Sequence, residues 1–157
     1  MKGDSGVLDL LQKAIEGEFA AQHQYLLHSR LLDNWGIRAL ADHWMGEVKD
    51  ERRHCIRFME RMVFLEAVPD VAKLGTIRVG DDITSILDSD LAAEMEAVEL
   101  YTRAAKYCHS VDDFVTRDIF EATLKDEQGH VNFLETQLSL VGKLGADLYL
   151  QHHVGKP

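Results

Sequence analysis

The sequence has few of the residues that interrupt helices or cross-link small folds. It contains only two prolines and two cysteines in 157 residues. Long helices are therefore permitted almost everywhere, and a disulfide framework is excluded. No stretch approaches the roughly 18 uninterrupted apolar residues of a membrane-spanning helix, and the first residues lack the apolar core of a secretory leader. We predict a cytoplasmic protein that neither spans nor binds a membrane.

Basic residues are scarce beside acidic ones. The chain has 17 Lys and Arg against 27 Asp and Glu, a formal net charge of −10 at pH 7. This balance argues against binding to nucleic-acid backbone and favours cations as partners. The length suits one domain with a sizeable core, so residues 1–157 are predicted to form a single domain.

Apolar residues recur at intervals of three and four along four long segments. They predict helices over roughly residues 5–34, 37–65, 83–109 and 114–144, with a short fifth helix after Gly145. The stretch EAVPDVAKLGTIRVGDD at residues 66–82 is predicted to be a connection without helix. Its 17 residues can extend about 55 Å, past a helix of about 40 Å. It is therefore predicted to join two helical hairpins as one long crossover.

An offset of 76 residues relates two copies of one polar pattern, KDERRH at residues 49–54 and KDEQGH at residues 125–130. The same offset pairs Glu18 with Glu94 and Tyr25 with Tyr101. A repeat that served packing alone would preserve mainly apolar residues. This repeat preserves carboxylates and imidazoles, and it therefore indicates a site.

The repeat places its carboxylates at matching heights in the two predicted hairpins. Glu18 and Glu51 are equidistant from the break at residues 34–35, and Glu94 and Glu127 are equidistant from the second break. In the second helix of each hairpin a histidine follows the glutamate by three residues, so both project from one face. Four helices thus supply six candidate ligands and catalytic residues: Glu18, Glu51, His54, Glu94, Glu127 and His130.

Carboxylates with imidazoles, and no pair of thiolates, suit iron or manganese better than structural zinc, and iron is our first choice. Two divalent cations at short range repel each other, and carboxylates that bridge them offset this repulsion. Glu51 and Glu127 are the predicted bridges. Glu18 and Glu94 are predicted to be terminal ligands, one at each iron, with positions left for dioxygen or peroxide.

Four further residues of the repeat adjoin these ligands. Asp50 and Asp126 are predicted either to accept the second ring N–H of a ligand histidine or to be solvated surface carboxylates. Tyr25 and Tyr101 follow the terminal glutamates by seven residues, on the same helix face. We expect Tyr25 to form hydrogen bonds near the site or to donate electrons, and Tyr101 to be a core residue.

Four stretches resemble the bacterioferritins, the bacterial members of the ferritin family that usually carry haem: MKGD at the start, QYLLHSRLLDNWG at 24–36, KLGTIRVGDD at 73–82 and LETQLSLVGKLGADLYLQ at 134–151. The resemblance implies an all-α, ferritin-like four-helix bundle with one long crossover and a short C-terminal fifth helix. It implies a hollow 24-subunit shell that oxidises Fe(II) with dioxygen or hydrogen peroxide and stores ferric mineral. All six candidate ligands match the family's ferroxidase ligands, which implies two iron ions per subunit.

Arg52 stands where the family has its haem-ligating methionine. Arginine is charged and unsuited to axial ligation, so we expect no haem at the usual site of a homomer. Met45 and Met59 share its helix stripe and are expected to fill the dimer interface, with ligation of a displaced haem as the lesser alternative. Some bacterioferritins mix a ferroxidase subunit of this kind with a haem-binding subunit. A homo-oligomer and such a hetero-oligomer both stay open, as does a reductase partner for iron release.

Two other functions stay open beside ferroxidase and storage. A di-metal oxidase or peroxidase acting on a small molecule would need a substrate pocket beside the metals. A non-catalytic metal-binding shell subunit would have no need of the intact ligand set. His152 and His153 lie in the tail that lines a channel in the family, where they either contact passing cations or have no ligand role.

Overall fold

The computed structural model describes residues 1–155, and these form five helices and no strand. The helices are α1 (Ser5–Asn34), α2 (Arg38–Phe64), α3 (Ile83–Ser110), α4 (Phe114–Leu144) and α5 (Ala146–His153). Their bounds agree with the predicted segments to within a few residues. None of the described helices is both long and apolar enough to span a membrane.

Short polar residues and glycines set the ends of these helices. Asp4, Asp82 and Asp113 cap α1, α3 and α4, each accepting hydrogen bonds from backbone N–H groups of the first turn. Such a cap is typically worth about 1 kcal/mol. Gly36 and Gly145 have φ angles of 82° and 78°, in the left-handed region that glycine enters without strain. These glycines allow the chain to turn between α1 and α2 and between α4 and α5.

The four long helices pack as two hairpins, α1 with α2 and α3 with α4, and α1 also packs along α3. Residues 66–82 connect the hairpins without helix. Three backbone N–H groups of this crossover donate to α1 in ascending order along both segments: Asp70 to Gln12, Gly75 to Glu16 and Arg78 to Gln24. The crossover therefore runs beside α1 along the bundle, which confirms the predicted four-helix architecture with one long connection and a short fifth helix.

The apolar core of the bundle has two parts. One includes Leu11, Phe58 and Phe120 toward one end of the bundle, and the other includes Trp44 and Leu87 toward the opposite end. Along each of the four long helices, the residues between these two parts include the predicted ligands. The bundle thus encloses a polar middle layer between two apolar layers.

A buried polar network joins the end of the crossover to three helices. The carboxylate of Asp90 is fully buried and accepts hydrogen bonds from Gln24 Nε2 at 2.7 Å, His28 Nδ1 at 2.9 Å and Trp44 Nε1 at 2.6 Å. His28 Nε2 in turn accepts from the backbone N–H of Gly80 at 3.0 Å. This arrangement assigns the proton of the neutral ring to Nδ1. Asp90 is thus the acceptor on which the network converges.

We predict that Asp90→Ala destabilises the protein strongly. The substitution removes the shared acceptor, and each buried donor left without a partner costs about 1–3 kcal/mol. A loss of about 3 kcal/mol or more is expected, measured by urea denaturation followed by circular dichroism. Asp88→Ala is the matched control, because Asp88 lies on the same helix but is exposed. Equal midpoints for the two variants would contradict a structural role for the network.

Candidate metal centre

The structure brings all six candidate ligands together in the polar middle layer. Five of them are almost fully buried, and the side chain of His130 is 15 % exposed. They form two overlapping sets within which the possible ligand atoms all lie within 4.8 Å of one another: Glu18, Glu51, His54 and Glu127 in one, Glu51, Glu94, Glu127 and His130 in the other. The two glutamates common to both sets are those predicted to bridge.

The bridging geometry is visible in the distances. Glu127 directs Oε1 to within 3.0 Å of His54 Nδ1 and Oε2 to within 3.0 Å of His130 Nδ1. Glu51 does the same, with 3.2 Å from Oε2 to His54 Nδ1 and 3.2 Å from Oε1 to His130 Nδ1. The two imidazole rings lie 6.2 Å apart and are inclined by 27°. Each of these two carboxylates therefore has one oxygen beside each of the two histidines, as a bridge between two metal ions would require.

Several ligand atoms are buried without a hydrogen-bond partner. They are Glu18 Oε2, Glu51 Oε1, both carboxylate oxygens of Glu127 and His130 Nδ1. A buried polar atom left unpaired costs about 1–3 kcal/mol, and more if it is charged. Divalent cations would supply the missing partners, and a set of oxygens with imidazole nitrogens suits iron or manganese. The residues present therefore fit the two metal ions that the sequence implies.

Protonation partly relieves the crowding of charge when no metal is bound. Burial raises the pKa of Glu18 and Glu94 well above the ordinary range of a glutamate. Burial opposes ionisation of Glu51 too, but its close contacts with the two histidines lower its pKa to about 2. Burial likewise opposes charge on the histidines, but their close contacts with Glu51 and Glu127 outweigh it and raise the pKa of His54 to about 10 and that of His130 further. Metal ions must therefore displace protons.

The outer ring nitrogens of the histidines also have carboxylate partners. Asp126 Oδ2 lies 3.3 Å from His54 Nε2, a placement that fits the first of the two roles left open for Asp126. Glu47 Oε2 lies 3.0 Å from Nε2 of His130, a contact that the sequence did not indicate. Asp50 lies near Glu47 and His130, and its carboxylate pairs with Arg53 at 2.5 Å.

The imperfect repeat explains this difference. The second copy has Gly129 at the position equivalent to Arg53, so no arginine three residues along draws Asp126 away. It has Thr123 at the position equivalent to Glu47, so there is no glutamate to compete with Asp126 for the histidine nitrogen. Glu47 was not among the candidate site residues. Comparison of the positions at which the two copies of the repeat differ could have drawn attention to it, because only the first copy has a glutamate there.

Two tyrosines contact the terminal carboxylates. Tyr25 donates a hydrogen bond to Glu94 Oε1, and Tyr101 donates one to Glu18 Oε1. Burial and the nearby carboxylates raise the pKa of both phenols well above 10, which keeps them protonated as donors. Tyr101 was expected only to fill the core. The structure gives it a site contact equivalent to that of Tyr25.

A cavity of about 220 Å³ opens beside the carboxylates, between α1, α3 and the crossover. It reaches all four candidate glutamate ligands, and its other walls include small residues: Gly17, Ala20, Ala21, Ala93 and Ala97. Gly75 brings the crossover so close to α1 that an added Cβ would lie 3.0 Å from the carbonyl oxygen of Glu16. The cavity thus adjoins the cluster of glutamates, and nothing in the sequence indicated it.

Comparison with known proteins gives concordant matches. The ferritin family, described as a ferritin-like domain, matches residues 8–144. The bacterioferritin of Rhodobacter capsulatus is 41 % identical over 145 residues, covering 92 % of this chain and 90 % of that protein. The bacterioferritin of Mycobacterium avium is 37 % identical over 157 residues, covering 100 % and 99 %.

A solved structure extends the likeness to three dimensions. The 2.6 Å structure of Rhodobacter capsulatus bacterioferritin, with a metal-free dinuclear site and haem iron in a crystallographic special position, superposes with a TM-score of 0.97. The sequence identity is 38 %, and the match covers 99 % of this chain and 98 % of that one.

We predict that metal binding releases protons and strengthens as the pH rises. With a pKa of about 10, His54 holds a proton at neutral pH, and burial raises the pKa of the terminal glutamates, so a cation competes with protons for these atoms. Calorimetric titration with Mn(II) between about pH 6 and pH 8, in buffers of different ionisation enthalpy, measures both effects. His109→Ala, which changes an exposed histidine, should leave proton release unchanged. An affinity independent of pH and of buffer would contradict the charge assignment.

Proposed function

The chain belongs to the bacterioferritins of the ferritin family, and we propose that it is a ferroxidase that oxidises Fe(II) at its own centre before storage. Iron storage follows from membership of the family. The proposal concerns the reaction and its residues: Glu18, Glu51, His54, Glu94, Glu127 and His130 bind two Fe(II) ions per subunit as substrate. We further propose that residues 1–157 form a single di-iron domain.

One observation supports the proposal above all, namely two overlapping ligand sets that share Glu51 and Glu127. Two Fe(II) ions side by side repel each other, and the shared carboxylates place negative charge between them. Each iron gives up one electron, and the oxidant takes both. Dioxygen with two protons becomes hydrogen peroxide, or hydrogen peroxide with two protons becomes two waters. The added positive charge on each iron is offset by carboxylates that have already lost their protons.

The residues divide the work. The bridging glutamates hold the pair of ions together, and Glu18 and Glu94 complete one metal position each. Asp126 and Glu47 hold the outer nitrogens of the histidines and so fix the orientation of both rings. The cavity beside the carboxylates admits Fe(II) and a small oxidant, and the negative charge of the chain favours the approach of cations.

The same cavity gives weight to a second candidate function, oxidation of a small organic molecule at the di-metal centre. Its volume of about 220 Å³ would hold only a small substrate. Family membership favours iron as the substrate, because a storage protein must oxidise what it deposits. Accumulation of ferric mineral beyond two irons per subunit would separate storage from this alternative.

Assembly and haem content are further parts of the proposal. We expect a hollow shell of 24 subunits, either homomeric or mixed with a haem-binding bacterioferritin subunit, with a reductase partner for iron release. The side chain of Arg52 is exposed on α2, and a guanidinium has no lone pair to give a haem iron. The residue at this position therefore does not fit haem ligation. A cytoplasmic location stays a prediction.

We predict that Glu18→Ala removes rapid Fe(II) oxidation. Stopped-flow absorbance should show that wild-type protein loaded anaerobically with two Fe(II) per subunit oxidises them rapidly on mixing with dioxygen or peroxide. The variant should be slower by on the order of 100-fold, because one iron is no longer held in place. Glu60→Ala, an exposed glutamate of α2, is the matched control. Binding by the wild type without accelerated oxidation would leave the chain a passive shell subunit.

We also predict that Arg52→Met gives the homomer a haem site that the wild type lacks. The change supplies a thioether at the position where the family ligates haem. Haem titration followed by Soret absorbance should show methionine ligation in this variant alone. Arg53→Met, the neighbouring exposed position, is the control. Methionine-ligated haem in the wild type would show that Met45 or Met59 supplies the ligand instead.

A further inference from the structure

The two buried tyrosines connect the hairpins crosswise. Tyr25 on α1 donates to Glu94 on α3, and Tyr101 on α3 donates to Glu18 on α1. The partners are 69 and 83 residues apart in sequence. Each hydrogen bond therefore links a tyrosine of one hairpin to a terminal carboxylate of the other, rather than to the glutamate two turns away on its own helix.

The bond from Tyr101 determines which oxygen of Glu18 faces the centre. Its hydroxyl binds Oε1, while Oε2 is buried and has no hydrogen-bond partner. A glutamate side chain has three rotatable bonds, and a fixed donor on one oxygen restricts the rotation that would turn the other away. Oε2 is thereby left available to a metal ion.

The ring of Tyr101 is itself held firmly. It is 1 % exposed and packs against Phe58 and Phe120, with ring centroids 5.3 Å and 5.8 Å away. These three rings belong to the apolar layer next to the metal position that includes Glu18 and His54. Tyr25 belongs to the opposite apolar layer. The two tyrosines therefore approach the centre from different ends of the bundle.

We propose that Tyr101 is a positioning residue for one of the two metal positions, the one formed with Glu18 and His54. Its hydroxyl orients Glu18 across the hairpin interface, and Tyr25 bears the same relation to Glu94 at the other position. The inference rests on the proposed di-metal centre. It assigns each tyrosine an effect on one metal position and none on the other.

The test compares Tyr101→Phe with Tyr25→Phe, since each substitution removes a hydroxyl and keeps the ring. Anaerobic titration with Co(II), followed by its visible absorbance, resolves the two equivalents bound per subunit. Tyr101→Phe should weaken one equivalent about tenfold and leave the other unchanged, as expected for loss of a hydrogen bond to a charged group. Tyr25→Phe should also weaken one equivalent, and the double variant both.

A His54→Ala background identifies the affected position, because it retains only the position that contains His130. In this background Tyr25→Phe should weaken the remaining equivalent, whereas Tyr101→Phe should have no effect. In the His54→Ala background, an equal effect of the two tyrosine substitutions on the remaining equivalent would overturn the assignment. So would a lowered melting temperature of metal-free Tyr101→Phe with unchanged Co(II) affinity, which is the result of a purely structural role. Failure of the wild type to bind two Co(II) would instead overturn the di-metal centre itself.

Discussion

Four carboxylates buried around one point are the constraint on which the rest of this bundle depends. An isolated buried charge costs several kcal/mol, and like charges within a few ångströms add to that cost. Without metal, protons relieve the cost, since Glu18 and Glu94 have raised pKa values and His54 and His130 stay charged beside the bridging glutamates. The protein can therefore fold around the site before it holds iron. Cations then replace the protons at the same atoms.

The two apolar layers make this arrangement possible. Each long helix contributes apolar side chains on both sides of the centre, so the polar layer lies between two packed layers. The crossover completes the enclosure along α1. Its last residues donate to His28 and Gln24, which in turn donate to Asp90 on α3. The lack of a side chain at Gly75 lets the crossover approach α1 closely, and the small side chains of α1 and α3 nearby leave a cavity. The buried hydrogen-bond network and the cavity thus both adjoin the crossover.

The sequence could predict the helices, the crossover and the six clustered residues because helix geometry fixes where a side chain lies along and around an axis. Equal distances from a turn give equal heights whatever the details of packing. It could not predict contacts that depend on how helices pack and which rotamers they allow. Tyr101 reaches the opposite hairpin, and Asp90 collects donors from two other helices. Nor could the sequence predict that Asp50 pairs with Arg53 or that Glu47 faces His130, because each contact involves a position that differs between the two copies of the repeat.

The imperfection of the repeat has a chemical consequence. The candidate ligands match between the two copies of the repeat, but the carboxylates beside the outer nitrogens of the two histidines do not. The outer nitrogen of His54 faces Asp126, whose side chain is 48 % exposed, whereas that of His130 faces Glu47, which is 19 % exposed and also lies 3.3 Å from His43. A carboxylate shielded from water interacts more strongly with an imidazole than one in contact with it. The two histidines of the repeat therefore lie in unequal electrostatic surroundings, which would distinguish the two proposed metal positions even though their candidate ligands match.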